Sequence, residues 1–62
     1  MRSRDVIGRL EADGWREVRQ AGSHKQLRHA AKPGTVTVPH PKVELGIGTL
    51  KSIERQSGVK LR

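Results

Sequence analysis

The apolar side chains of this chain are sparse, and the spacing at which they recur changes twice along it. Val6, Ile7 and Leu10 fall at i, i+1 and i+4, a single stripe on a helix. Val36 and Val38 alternate within TVTVP, as one face of a strand does. Leu50 and Ile53 return to helical spacing, i and i+3. With Trp15, Val18, Leu27, Leu45 and Ile47 they make just enough for one layer of core. A chain of 62 residues with so small a core is expected to form one domain, residues 1–62. A domain of that size buries only about 60% of its unfolded surface and is marginally stable. There is no cysteine to staple it. That excludes disulfides, thiolate zinc sites and a thiol nucleophile.

SRDVIGRLEAD, residues 3–13, predicts a helix. Ser3 is placed to cap its first turn, and Asp5 suits the positive end of its dipole. Asp5 and Arg9 are spaced to pair, and Gly14 is placed to end the helix in a left-handed residue. Gly8 weakens the helix by about 1 kcal/mol relative to alanine. WREVRQ, residues 15–20, suits a short strand. Trp15 and Val18 do not share parity there, which leaves open whether Trp15 belongs to the strand or to the turn over the helix end. AGS marks a tight connection, SHKQLRH at 23–29 a second strand, and AKPG at 31–34 a turn. TVTVP, residues 35–39, is a third strand that Pro39 ends or keeps at an edge. Residues 40–48 connect irregularly, anchored by Leu45 and Ile47. Thr49 is expected to cap a second helix, LKSIERQS, that Gly58 closes, with Val59 and Leu61 adding a last apolar contact. Three short strands in succession make an antiparallel meander, and two helices on one of its faces make an α+β two-layer sandwich. Helix, three-stranded sheet, helix is the order of the double-stranded-RNA-binding domain.

Charge points to partners. Thirteen Lys and Arg against six Asp and Glu give a net charge of +7. Phosphate backbones, anionic membranes and acidic proteins are all drawn to such a surface. The basic residues are dispersed among apolar ones, so the picture is a folded core in a basic coat, which suits nucleic acid. MRSRDVIGRL lacks the apolar run of a signal peptide, and no segment approaches the ~20 apolar residues of a membrane span. The expectation is a soluble, cytoplasmic protein with no membrane partner. Trp15 is the single aromatic residue and is assigned to the core, so no platform remains for stacking bases.

QAGSHKQLRH, residues 20–29, holds the one candidate for chemistry. Side chains alternate along a strand. If Leu27 points into the core, Lys25 and His29 share its face. His24, Gln26 and Arg28 then lie on the open face, with the Lys25 charge reaching the edge. An imidazole beside a guanidinium can take a proton from a hydroxyl while the cation holds a phosphate. Histidine suits that task because both of its protonation states exist near neutral pH. The plainer reading is a polar residue on a polar face, after a glycine and serine that only make a turn. His24, His29 and His40 lack the close spacing of a metal motif, so no metal is expected. No Ser-His-Asp arrangement or carboxylate pair follows from the spacing, and GIG at 46–48 lacks the context of a phosphate loop. No cofactor is expected.

GSHKQLRH, then TVTVPHP, then GTLKSIERQSGV resemble segments of the HicA family of toxins, and DVIGRLEADGW resembles that family's first helix and its exit. The resemblance runs over about residues 3 to 60. It implies a small mRNA interferase with a double-stranded-RNA-binding-like fold, whose catalytic residue is the histidine of the Gly-Ser-His segment, here His24. It also implies a HicB-type antitoxin that masks this histidine, with DNA reached only through that antitoxin. The residue after the histidine is often apolar, aromatic or histidine in the family; here it is Lys25, a departure that bears on strand packing and substrate preference. The expected RNA-binding set is Ser23, Lys25, Gln26 and Arg28, with His40 or Lys25 as the auxiliary acid. Two routes stay open: attack by a ribose 2′-hydroxyl, or by water activated by His24. Recognition is expected to rest on phosphate and ribose, with strong salt dependence and modest sequence reading. A non-catalytic basic RNA-binding module is the alternative, and a structural protein of a ribonucleoprotein particle a third reading.

Overall fold

The computed structural model describes residues 1–62. Alternation sends Leu27, Val36 and Val38 to one face of a three-stranded antiparallel sheet, where they are fully buried. Its strands, β1 (Trp15–Ala21), β2 (His24–His29) and β3 (Thr35–Pro39), lie side by side in chain order. Helices α1 (Ser3–Ala12) and α2 (Ile47–Ser57) supply Val6, Ile7, Leu10, Leu50 and Ile53 to the same core. The helices therefore cover one face of the sheet and leave the other bare, the expected α+β two-layer sandwich. Both strand connections are short, so the meander is antiparallel throughout.

The parity conflict in β1 is resolved by a bulge. The register with β2 shifts between Glu17 and Arg19, which makes Val18 the extra residue. Trp15 is then the core residue of the strand, completely buried, and Val18 is 54% exposed, contrary to its expected place in the core. Ile47 is also out of the core, at 63% exposed. The reason is that α2 starts earlier than expected. The Leu50 N–H bonds the Gly46 carbonyl at 3.0 Å, so Gly46 is the N-cap and Thr49 lies inside the helix. Leu61 is buried in the core, its N–H held at 2.8 Å by the Glu54 carboxylate.

Ser3 does not cap α1. Arg2 holds that position with extended backbone and no side-chain cap bond, and Ser3 lies inside the helix at 1% exposure. Its hydroxyl accepts the Lys42 N–H at 2.9 Å and bonds His40 Nδ1 at 2.8 Å. The segment after β3 thus competes successfully for the oxygen that would cap the helix. No Asp5–Arg9 ion pair forms either; both are exposed, where such a pair is worth little. One further side chain reaches the sheet from α2: Gln56 Oε1 accepts the Thr37 N–H at 3.2 Å, while Gln56 Nε2 donates to Ser52 Oγ at 3.1 Å.

Glycine is required at the α1 exit. Gly14 has φ +109°, and a Cβ there would lie 2.6 Å from His29 Nε2. That ring is fixed: Nδ1 accepts the Ala31 and Lys32 N–H groups at 2.9 and 3.2 Å, and Nε2 donates to the Asp13 carbonyl at 2.7 Å. The ring cannot give way without breaking these bonds. Gly14→Ala is expected to lower stability by about 1–3 kcal/mol. An unchanged urea midpoint would show that the turn relaxes freely.

Two surface carboxylates link chain segments, and their bonds are expected to weaken in acid. Lys32 Nζ donates to Asp13 Oδ2 at 2.6 Å and to the Ser57 carbonyl at 3.1 Å, joining the C-terminal ends of both helices. That bond holds the Asp13 carboxyl below its ordinary value. Glu54 is lowered by the Leu61 N–H and then by Arg62. Both groups have folded values below their unfolded ones, about 3.8 and 4.5. Their stabilisation is complete above the unfolded values and is lost as pH falls through the folded ones. Thermal melts from pH 6 to pH 2 should therefore show a falling melting temperature below about pH 4.5, and Asp13→Asn with Glu54→Gln should flatten that limb. A double variant with the parent's acid slope would remove these two residues as its cause.

Candidate functional site

Paired residues of an antiparallel sheet share a face, and successive pairs alternate. The helix-free face is therefore built from three rows. Ala21, His24 and Pro39 form the row at the β1–β2 turn; Arg19, Gln26 and Thr37 the next; Arg16, Arg28 and Thr35 the last. The turn itself is the two-residue loop Gly22–Ser23. Gly22 has φ +58° at the first loop position, where a type II′ hairpin turn takes glycine. That turn sets the register and so presents His24 on the bare face.

His24 is exposed, and neither ring nitrogen has a hydrogen-bond partner within the fold. Arg28 and Arg19 are exposed and form no ion pair or hydrogen bond. Arg16 is committed instead, its Nη1 donating to the Glu11 and Trp15 carbonyls at 2.8 Å each. Gln26 is half-buried on the same face, and Ser23 is exposed beside His24. The result is an imidazole free of structural duties on a surface with two uncommitted guanidinium groups. Arg19 was not among the residues expected from the sequence. Mirroring the chain about Gly22–Ser23 pairs it with Gln26 directly, since the bulge at Val18 lies beyond it.

Two expected members of the site lie elsewhere. Lys25 pairs with Val38 and Gln20, on the helix-covered side, and its ammonium meets Glu17 Oε1 at 3.1 Å. The structure does not bring it to His24. His40 follows Pro39, the strand partner of His24, and its N–H bonds the Ser23 carbonyl at 2.7 Å. Its backbone thus adjoins the His24 end of the sheet, but its ring is held by Ser3 of α1. His29 is structural: besides its three bonds, it meets Trp15 edge-on, with ring centroids 5.3 Å apart. No three His, Asp or Glu side chains converge. No concavity includes His24, which stands on an open surface.

A bare, basic three-stranded sheet backed by two helices, with an unoccupied imidazole at one end, defines a small domain of double-stranded-RNA-binding-like architecture. Within that class the assignment is specific. The family described as the HicA toxin of bacterial toxin–antitoxin matches residues 3–59, and the chain belongs to that family. It is a toxin of a toxin–antitoxin pair. No curated protein matches the chain. No helix is long and apolar enough to cross a membrane.

Proposed function

We propose that this toxin is a metal-independent endoribonuclease, an mRNA interferase that blocks translation, with His24 as its catalytic residue. The observation that carries this reading is the His24 ring, exposed and unpartnered on a face where Arg19 and Arg28 are also uncommitted. In the reaction, His24 takes the proton of a ribose 2′-hydroxyl as its oxygen attacks the adjacent phosphorus. The bond to the 5′-oxygen breaks, leaving a cyclic phosphate on one product and, once protonated, a hydroxyl on the other. Arg28 and Arg19 stabilise the charge that builds on the phosphate oxygens. Gln26 and Ser23 bind the strand alongside. Lys25, on the helix-covered side and paired with Glu17, takes no part in this step, and water is the simplest source of the second proton. A HicB-type antitoxin covers the bare face and the histidine, and its charge complementarity speeds association.

The lack of any group orienting the His24 ring favours one alternative, a non-catalytic RNA-binding module on the same face. Cleavage assays separate the two. The expected result is cutting of RNA in excess chelator, with cyclic-phosphate ends and no reaction on 2′-deoxy substrate. Loss of activity on chelation would refute the metal-free mechanism, and intact RNA under all conditions would leave the binding module.

A further inference from the structure

Around the sheet end from His24 lies a basic concavity that the proposed chemistry does not use. Arg2, Ser3, Arg4, His40 and Lys42 line it. The side chains of Arg2, Arg4 and Lys42 form no ion pair, and no Asp or Glu lines the cleft. Three cations with no counter-charge repel one another, so an anion seated among them is favoured.

His40 is built into this cleft. Ser3 is 1% exposed, and its Oγ already accepts the Lys42 N–H at 2.9 Å. Its own hydrogen has one acceptor within reach, His40 Nδ1 at 2.8 Å. A buried hydroxyl hydrogen without an acceptor is costly, so Ser3 donates to Nδ1. The neutral ring then carries its proton on Nε2 and offers an N–H donor. Backbone bonds lock the assembly: Ser3 N–H to the Lys42 carbonyl at 2.9 Å, and His40 N–H to the Ser23 carbonyl at 2.7 Å.

We propose that this cleft is a phosphate subsite: Arg2, Arg4, Lys42 and the Ser3-oriented His40 ring hold a backbone phosphate of the same RNA strand that reaches His24. This rests on the proposed ribonuclease function for the identity of the strand. It gives His40 a binding task in place of the acid expected from the sequence. The His40 backbone links the cleft to the reacting row, because it is bonded to Ser23 and follows the partner of His24.

The test measures binding of a single-stranded RNA by fluorescence anisotropy against salt, in the His24→Ala protein so that the strand stays intact. One variant carries Arg2→Gln, Arg4→Gln and Lys42→Gln. A charge-matched control carries Arg9→Gln, Arg55→Gln and Lys60→Gln, all unpaired cations outside the cleft. The cleft variant is expected to bind at least tenfold more weakly at moderate salt, with a log–log salt slope shallower by about 1–2. The control should lose less than threefold. Equal losses in both would reduce the cleft to general charge and overturn the proposal, as would undetectable RNA binding by the His24→Ala parent. Ser3→Ala, which removes no charge, should shift the His40 ring 15N resonances away from the Nε2–H pattern and weaken binding about threefold. A ring unchanged by Ser3→Ala would overturn the orienting role. RNA left uncut by wild type, with the cleft effect present, would defeat the nuclease reading alone.

Discussion

His24→Ala is expected to end RNA cleavage and abolish growth arrest on induced expression, while most RNA binding survives. Removing a general base costs about 10²–10⁴-fold in rate. The side chain is exposed and makes no hydrogen bond in the fold, so its loss leaves packing untouched. Stability should stay within about 0.5 kcal/mol of wild type, as for surface substitutions generally. That separation makes the experiment decisive. Arrest and RNA loss by wild type alone identify a catalytic residue. Equal arrest by both proteins would locate toxicity in binding. No arrest by either, with both present in soluble form, would point to a binding module or an inactive toxin.

The largest stability effect is expected at Trp15. Its indole is fully buried in the core, and truncation of such a ring costs about 3–5 kcal/mol. A domain of this length holds roughly 3–9 kcal/mol in total, at about 0.05–0.15 kcal/mol per residue. Trp15→Ala should therefore be largely unfolded at 37 °C, with no cooperative melt by circular dichroism. Trp15→Phe is the informative companion. Trp15 Nε1 is buried with no hydrogen-bond partner, so phenylalanine removes an unsatisfied donor along with part of the apolar area. It should melt within a few degrees of wild type. A cooperative, wild-type-like melt for Trp15→Ala would mean that the core closes over the gap. Loss of RNA affinity in folded Trp15→Phe would contradict the burial itself, since a ring inside the core cannot stack on a base.

What the sequence revealed about the fold was whatever could be decided locally. Alternation in TVTVP and the stripe of Val6, Ile7 and Leu10 mark their elements without reference to the rest of the chain. The order of elements then leaves one reasonable sandwich. Val18 lies off the core because a bulge, a property of two strands, inverts parity halfway along β1. The Ser3 hydroxyl serves a residue 37 positions away, and no capping rule sees that distance. The same division holds for the site. Strand parity suffices to set His24 and Arg28 on the bare face and Lys25 on the other, while the pairing of the Lys25 ammonium with Glu17, which keeps it from the phosphate, is tertiary. Arg19 needed the pairing, and the direction of the His40 ring needed α1.

The Gln56 bond to the Thr37 N–H has a consequence for how copies of this protein meet one another. A three-stranded sheet ends in two rims of unpaired backbone groups, and such rims invite strand-by-strand polymerisation. On the β3 rim, a side chain from α2 already occupies the Thr37 donor, and Ser52 keeps that side chain in place. On the β1 rim, the bulge at Val18 breaks the regular repeat that an incoming strand would need to match. A basic domain with one bare sheet face thus carries its own safeguards against growing into ribbons with its neighbours.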